Sequence, residues 1–336
     1  MFDFLSFWSW KKSAQQLKQT KPRAPSKTEQ DTFDLYVREQ LPNKPVKFQQ
    51  LFARIQAKDN SLTEVNLANM GIEDSDVIAL CYVLNTNSYV TTLDLSANGL
   101  GLKSTRVLAG LSHITSLCIK TNPNIDDSAI EPFRHNQALQ HLNASYCSIA
   151  DEGAKTLTET HISKLNLCAN NVGNLGVSYL AKDKRLLKLD LSANDMDDNG
   201  IAHFENNSNL EELRLERNRL SDNTASIFNT MKKLKVLQLG ANLYTCQGAK
   251  TLAKTTTIEI CDLSSNRIGD QGAMMLADNK VFSELDLELN NITVESLAAF
   301  QSNSTLKSVK LSRNLIDESL LAPMDTARTA FPPIPG

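Results

Sequence analysis

Long apolar runs are missing from this chain. No stretch approaches the roughly 18 residues that a bilayer-spanning helix needs, so none is expected. Aromatic residues make up only 6% of the 336, with 2 Trp. The six cysteines (Cys81, Cys118, Cys147, Cys168, Cys246 and Cys261) form no C-x-x-C or other zinc spacing. Reduced thiols in a reducing compartment are the expectation. His113, His135, His141, His161 and His203 are scattered, and neither an HExxH motif nor a Gly-rich phosphate loop is present. No enzymatic activity, metal or cofactor is therefore expected. Net charge is −3, which speaks against a general nucleic-acid binder. A cleavable signal peptide is not expected either. The first ten residues are apolar, but Lys11 and Lys12 follow them, the reverse of the usual order.

What the chain has is a period. Leu186-x-x-Leu189-x-Leu191-x-x-Asn194 returns 24 residues later as Leu210-x-x-Leu213-x-Leu215-x-x-Asn218, and the pattern continues through Asn242, Asn266, Asn290 and Asn314. Self-similarity at such a period marks a repeat architecture. Earlier units follow with small irregularities: Met70, Asn98, Asn122, Cys147 and Asn170 stand at the same place, and the third unit has one extra residue before Ile125. This gives eleven repeats. Numbered so that apolar residues fall at 1, 4, 6 and 11, position 9 is Asn in nine of them.

The residue types follow from the geometry of one unit. Alternation at positions 4 and 6 puts both side chains on the inner face of a short strand, and positions 5 and 7 face out. Neighbouring units pair these strands into a parallel sheet, each crossing over to the next. The chain then bends, leaving backbone donors and acceptors unpaired inside. An Asn side chain can meet both kinds, so Asn98, Asn122, Asn170, Asn194, Asn218, Asn242, Asn266, Asn290 and Asn314 are expected to form a structural ladder. In the second half of the unit, Gly153, Gly176, Gly200, Gly248 and Gly272 occupy position 15 and allow neighbouring backbones to approach. Leu157, Leu180, Phe204, Phe228, Leu252, Leu276 and Phe300 occupy position 19. Apolar residues at 16 and 19 predict a short helix of about two turns packed on the sheet. Asp151, Asp198 and Asp270 suit its N-terminus.

Four segments result. Residues 1–30 are an aromatic and basic arm, with Phe2, Phe4, Phe7, Trp8 and Trp10 followed by Lys11, Lys12, Lys18, Lys21, Arg23 and Lys27. Such an arm either rests weakly at a membrane interface, stays flexible, or folds back on the repeats. Residues 31–59 read as a helical cap, with Phe33, Tyr36 and Val37 on one face, a stop at Leu41-Pro42, and Phe48, Leu51, Phe52 and Ile55 at helical spacing. A solenoid exposes an apolar cross-section at its end, so a covering helix is expected there. The rival is an F-box-like adaptor helix pair. Residues 60–320 hold the repeats, and 321–336 are a Pro-rich tail. Residues 1–60 contain 11 Lys/Arg against 6 Asp/Glu, so a net +5 precedes the repeats and −8 lies in the rest.

The LxxLxLxxNxL pattern with a Gly-Ala-x-x-Leu helix, as in Cys261 to Leu276, resembles the leucine-rich repeats of the ribonuclease-inhibitor-like class. The resemblance covers residues 62–316. It implies a right-handed α/β horseshoe, with the parallel sheet on the concave face and short helices on the convex face. Units of 24 are shorter than is typical of that class, so shorter helices follow; Cys at the Asn position also occurs there. Residues 54–67 look like the start of the tropomodulin repeat domain. The single array also resembles the leucine-rich-repeat effectors that Legionella-type intracellular bacteria inject into host cells. Bacterial leucine-rich-repeat ubiquitin ligases carry a large C-terminal catalytic domain, for which this chain offers no room.

In such a fold, outward positions 3, 5, 7 and 8 line the concave face, the usual partner surface of solenoids. The expected partner-binding residues are Tyr146, Asp190, Arg214, Glu216, Arg217, Asp262, Asp286, Glu288, Lys310 and Arg313. Tyr and Arg are frequent interface anchors, and Arg214 is expected beside Asp190 of the preceding strand. Cys118 and His141 are expected to approach on adjacent strands with Cys168 beyond, but a metal site needs tighter convergence. The sequence thus reads as a non-enzymatic, monomeric protein-interaction module, cytoplasmic as made and secreted as a bacterial effector acting on a host protein. The alternatives are an adaptor recruiting ubiquitin machinery through residues 31–59, and a peripheral membrane scaffold anchored by residues 1–27.

Overall fold

A computed structural model describes residues 26–321. The aromatic arm expected to touch membrane, except Ser26 and Lys27, and the tail beyond Leu321 lie outside the described residues. Eleven three-residue strands follow one another: β1 (Glu64–Asn66), β2 (Thr92–Asp94), β3 (Ser116–Cys118), β4 (His141–Asn143), β5 (Lys164–Asn166), β6 (Lys188–Asp190), β7 (Glu212–Arg214), β8 (Val236–Gln238), β9 (Ile260–Asp262), β10 (Glu284–Asp286) and β11 (Ser308–Lys310). They form one parallel sheet in chain order, β1 at one edge and β11 at the other. The expected register holds throughout, for example Leu189 beside Leu213 and Asp190 beside Arg214. Positions 4 and 6 are buried in every repeat, forming one continuous core between sheet and convex segments.

The Asn ladder is built as anticipated. Asn242 donates through Nδ2 to Leu215 O (2.9 Å), Leu239 O (3.0 Å) and Gly240 O (3.3 Å), while its Oδ1 accepts from Leu220 N (3.1 Å). One amide thus satisfies backbone groups of two successive turns that have no water to turn to. The two irregularities in repeats 3 and 4 explain each other. In most other repeats the position-11 N–H reaches the Asn of the next repeat, as Ile72 N does to Asn98 Oδ1 (3.2 Å). With its extra residue, repeat 3 turns back on itself and Ile125 N donates to Asn122 O (3.0 Å). That donor needs no Asn in repeat 4, where Cys147 stands with only weak contacts to Ile119 O (3.5 Å) and Ser145 O (3.7 Å).

Two further ladders were not read from the sequence. Eleven residues before position 9, Asn136, Asn207, Asn279 and Asn303 donate to carbonyls of the preceding repeat, as Asn279 Nδ2 does to Ala253 O (2.9 Å) and Thr255 O (3.0 Å), and Asn87 donates to Ile55 O of the cap. The acidic residues at position 13 do more than favour their own helix. Asp151 Oδ1 accepts from Gly173 N (2.8 Å) and Gly176 N (2.9 Å), capping the helix of the next repeat, and Asp198, Asp222 and Asp270 do likewise for Ser221, Thr245 and Thr293. This gives Gly153, Gly176 and Gly248 a further reason. A Cβ on Gly176 would lie 2.6 Å from Asp151 Oδ1, 2.8 Å from Val172 Cγ1 and 3.1 Å from Asp151 Cα. The glycine makes room for a capping carboxylate as well as for a backbone.

The convex segments are less uniform than expected. Repeats 4, 5 and 8 carry seven-residue helices, such as Asp151–Leu157. Repeats 3, 6, 7 and 10 instead join one α turn to a 3₁₀ turn. Those four are the repeats with Phe at position 19: Phe133, Phe204, Phe228 and Phe300, all buried. Phe133 and Phe204 lie in the 3₁₀ turn itself, whereas Phe228 and Phe300 lie in the α turn that follows one.

The first repeat is covered by α1 (Lys27–Glu39) and α2 (Val46–Gln56), with a 3₁₀ turn at Leu41–Asn43 between them. α1 starts at Lys27, four residues before Asp31, because Ser26 and Glu29 close a capping box. Phe33, Tyr36, Phe48, Phe52 and Ile55 are buried on the repeat. Asp76, in α3 (Asp74–Leu84) and wholly buried, ties the cap down. It accepts from Tyr36 Oη (2.6 Å) and Glu73 N (2.8 Å), and Lys44 Nζ lies 2.8 Å away. Asp76→Ala should cost about 2–3 kcal/mol. Hydrogen exchange should speed up over residues 27–56 and stay unchanged in repeats 6–10, since repeats couple mainly to neighbours. Uniform acceleration along the array would contradict this.

Candidate partner-binding face

Strand alternation sends positions 3 and 5 to the concave side, and position 8 completes it. In all eleven repeats position 8 has positive φ although none is Gly: Asn69, Ala97, Thr121, Tyr146, Ala169, Ala193, Arg217, Ala241, Ser265, Leu289 and Arg313. This left-handed conformation is costly for an L-residue. It is held by the next repeat's backbone, as where Arg217 N donates to Gly240 O (2.9 Å) and Tyr146 N to Cys168 O (2.8 Å). The side chains at this turn are exposed in Tyr146, Arg217 and Arg313. Tyr146 is 53% exposed, with Lys120 Nζ 5.4 Å from its ring centroid. These three stand apart along one rim of the sheet, in repeats 4, 7 and 11.

The floor between the strands is less open than outward-facing positions would suggest. Asp190, Arg214, Asp262 and Asp286 are buried, because each lies flat against its neighbours along the position-5 row. Glu216, Glu288 and Lys310 are half-buried. Arg214 does register beside Asp190, but its Nε donates to Glu212 Oε1 (2.7 Å) on its own strand, and Lys188 Nζ lies 2.7 Å from Glu212 Oε2. Lys310 Nζ donates to Asp286 Oδ2 (2.9 Å). Ser312 Oγ donates to Glu288.

Burial leaves this floor with carboxylates held above their usual range. Asp262 is pushed up to about 6 by burial and then by Asp286, its in-register neighbour on β10. Burial likewise raises Glu216, with Asp262 and Asp190 adding to it, and raises Asp190. Burial works against charge on Lys310, but Asp286 more than offsets it and raises its pKa.

The cysteines do not build a site. Cys118 registers with Asn143, and His141 with Ser116 and Lys164, so Cys118 and His141 sit on a diagonal. Burial pushes Cys147 up to about 11 and Cys168 to about 12, which keeps both thiols neutral. No group of three His, Cys, Asp or Glu among the described residues could hold a metal. No described helix is long and apolar enough to cross a membrane.

Comparison with known proteins agrees with this geometry. A leucine-rich-repeat family matches residues 208–268, and a second leucine-rich-repeat family matches 135–157. No curated protein matches the sequence. Among solved structures, an internalin (inlF) of Listeria monocytogenes is similar over 85% of this chain and 94% of its own, at 18% identity and a TM-score of 0.51. A chain of the mouse RP105/MD-1 complex is similar over 77% of this chain and 47% of its own, at 19% identity and a TM-score of 0.52. With eleven in-order parallel strands, buried Leu rows and an Asn ladder, the chain is a leucine-rich-repeat solenoid.

Proposed function

We propose that the chain is a non-enzymatic protein-binding module that takes a partner protein on its concave face. Leucine-rich-repeat proteins generally mediate protein–protein interaction, and one observation here supports that use. The sheet presents exposed Tyr146, Arg217 and Arg313 on a rigid rim, beside a floor of half-buried charge that water solvates poorly. Aromatic and Arg anchors on fixed backbone lose little entropy on binding. That Phe33, Tyr36, Phe48, Phe52 and Ile55 are spent on the first repeat supports residues 31–59 as a cap over the ubiquitin-adaptor reading. The repeats are read as members of the ribonuclease-inhibitor-like class. The further step, a secreted bacterial effector acting on a host protein, rests on sequence resemblance; a reporter fusion reaching the host cytoplasm tests it.

For a partner recovered by proximity labelling, the triple variant Tyr146→Ala, Arg217→Glu, Arg313→Glu should weaken binding at least about 100-fold, since anchors of this kind contribute 2 kcal/mol or more. None of the three is buried, so folding should be unaffected. Undiminished affinity would remove the concave-face assignment.

A further inference from the structure

The rows of hydrogen bonds that join the repeats run out at the last strand. In repeat 10 the position-6 and position-8 amides reach repeat 11, Leu287 N donating to Lys310 O (2.9 Å) and Leu289 N to Ser312 O (3.4 Å). Asn314 Oδ1 accepts from Asn290 N (2.7 Å) and Ile292 N (3.1 Å). The equivalent donors of repeat 11 are Leu311 N, Arg313 N, Asn314 N and Ile316 N. None of them donates a hydrogen bond among the described residues. β11 pairs with β10 on one side only, so these groups lie along the open edge of the sheet. Such an edge is a template for one more strand.

The side chains along the edge say which kind of strand fits. The array already pairs opposite charges at equivalent positions of adjacent repeats. Lys235 at position 2 meets Glu259 at position 2 of the next repeat, and Lys310 at position 5 meets Asp286. Repeat 11 carries Lys307 at position 2 and Arg313 at position 8. Both are exposed, and neither is in an ion pair among the described residues. Leu289 and Leu315, exposed at the turns of the last two repeats, add apolar surface beside them.

We propose that an acidic extended segment of a partner protein adds to β11 as a twelfth parallel strand. Its carbonyls accept from Leu311 N and Arg313 N, and its carboxylates face Lys307 and Arg313. A side-chain carbonyl at its ninth repeat position takes Asn314 N and Ile316 N, as Asn314 does one repeat earlier. Main-chain bonds give such an added strand its affinity and side chains its specificity. A basic segment would set like charges against each other at one strand spacing, about 4.8 Å, which is unfavourable. A second copy pairing through its own β11 would likewise bring these cations together. The edge is a surface apart from the concave face, and neither reading depends on the other.

The test titrates the whole ¹⁵N-labelled chain with the capped peptide Glu-Ser-Leu-Glu-Leu-Ser-Glu-Asn and follows the amide signals by NMR. The amides of Leu311, Arg313, Asn314 and Ile316 should shift and exchange more slowly with solvent, while those of repeats 2–5 stay unchanged. Lys307→Glu with Arg313→Glu, both at exposed positions, should weaken binding at least about 10-fold, because two attractions become repulsions. Lys233→Glu with Lys254→Glu, at exposed lysines elsewhere, should change it by less than about 2-fold, as screening predicts. The same peptide with Lys for Glu, or with Pro for its first Ser, should bind at least about 10-fold more weakly. The proposal is overturned if the four amides do not shift, the result expected if residues 322–336 or a second copy already hold the edge. It is also overturned if both double variants weaken binding equally, or if the Lys or Pro peptide binds as tightly. Its failure leaves the concave-face reading to be judged by crosslinking from Arg217, four repeats away.

Discussion

Asn242→Ala should destabilise the middle of the array by at least about 4 kcal/mol, because buried groups left unpaired cost about 1–3 kcal/mol each. The substitution strips Leu215 O, Leu239 O and Gly240 O of a donor and Leu220 N of its acceptor. Ala offers nothing in return, and Asn242 is buried, so water cannot replace the amide. A solenoid couples mainly neighbouring units, so the loss should be local. Amide exchange should accelerate most in repeats 7–9 and least in the first repeats. A change below about 1 kcal/mol, the size of an ordinary exposed hydrogen bond, would show that the ladder is incidental.

The second large effect has the opposite sign. Asp262→Asn should raise the melting temperature at pH 7.5. The carboxylate is held near 6 by burial and Asp286, against a usual 3.8. Above the folded pKa it is charged in both states, and the folded state bears the cost. Between about 4 and 6 the folded chain takes up a proton that the unfolded chain does not, so this contribution to stability rises as pH falls. The shift corresponds to about 3 kcal/mol at most. Asn keeps an oxygen for Ser264 N, which donates to Asp262 Oδ1 at 2.7 Å. The advantage of the variant should therefore shrink toward zero as pH falls to 4. Groups facing Asp262 include Glu216, Asp286 and Lys310, and Glu216 shifts in the same direction. Asp126, Glu131 and Asp197 are held low by hydrogen bonds and act in the opposite sense at lower pH, in wild type and variant alike. A variant that is less stable at pH 7.5, or whose advantage ignores pH, would contradict the account.

The scaffold was legible because its requirements are periodic. Leu189, Leu213 and Leu237 stack in register, and Asn218 and Asn242 recur where the turn needs an amide. The second Asn ladder carried the same signal, since Asn207, Asn279 and Asn303 each stand eleven residues before a position-9 Asn. Site properties were harder to read because they depend on neighbours along the row. Asp262 looks outward by alternation, yet it is buried between Gln238 and Asp286 along the position-5 row, a relation between repeats rather than within one. Arg217 and Arg313 show no glycine-like signal, because the left-handed turn beneath them is imposed by the stack.

The most direct measurement places a photocrosslinking residue at Arg217 on the concave rim or at Leu175, exposed on the convex helix Asn174–Leu180, and compares capture of one recovered partner. The concave-face account predicts efficient crosslinking from position 217 and background levels from 175. The reverse pattern would contradict it.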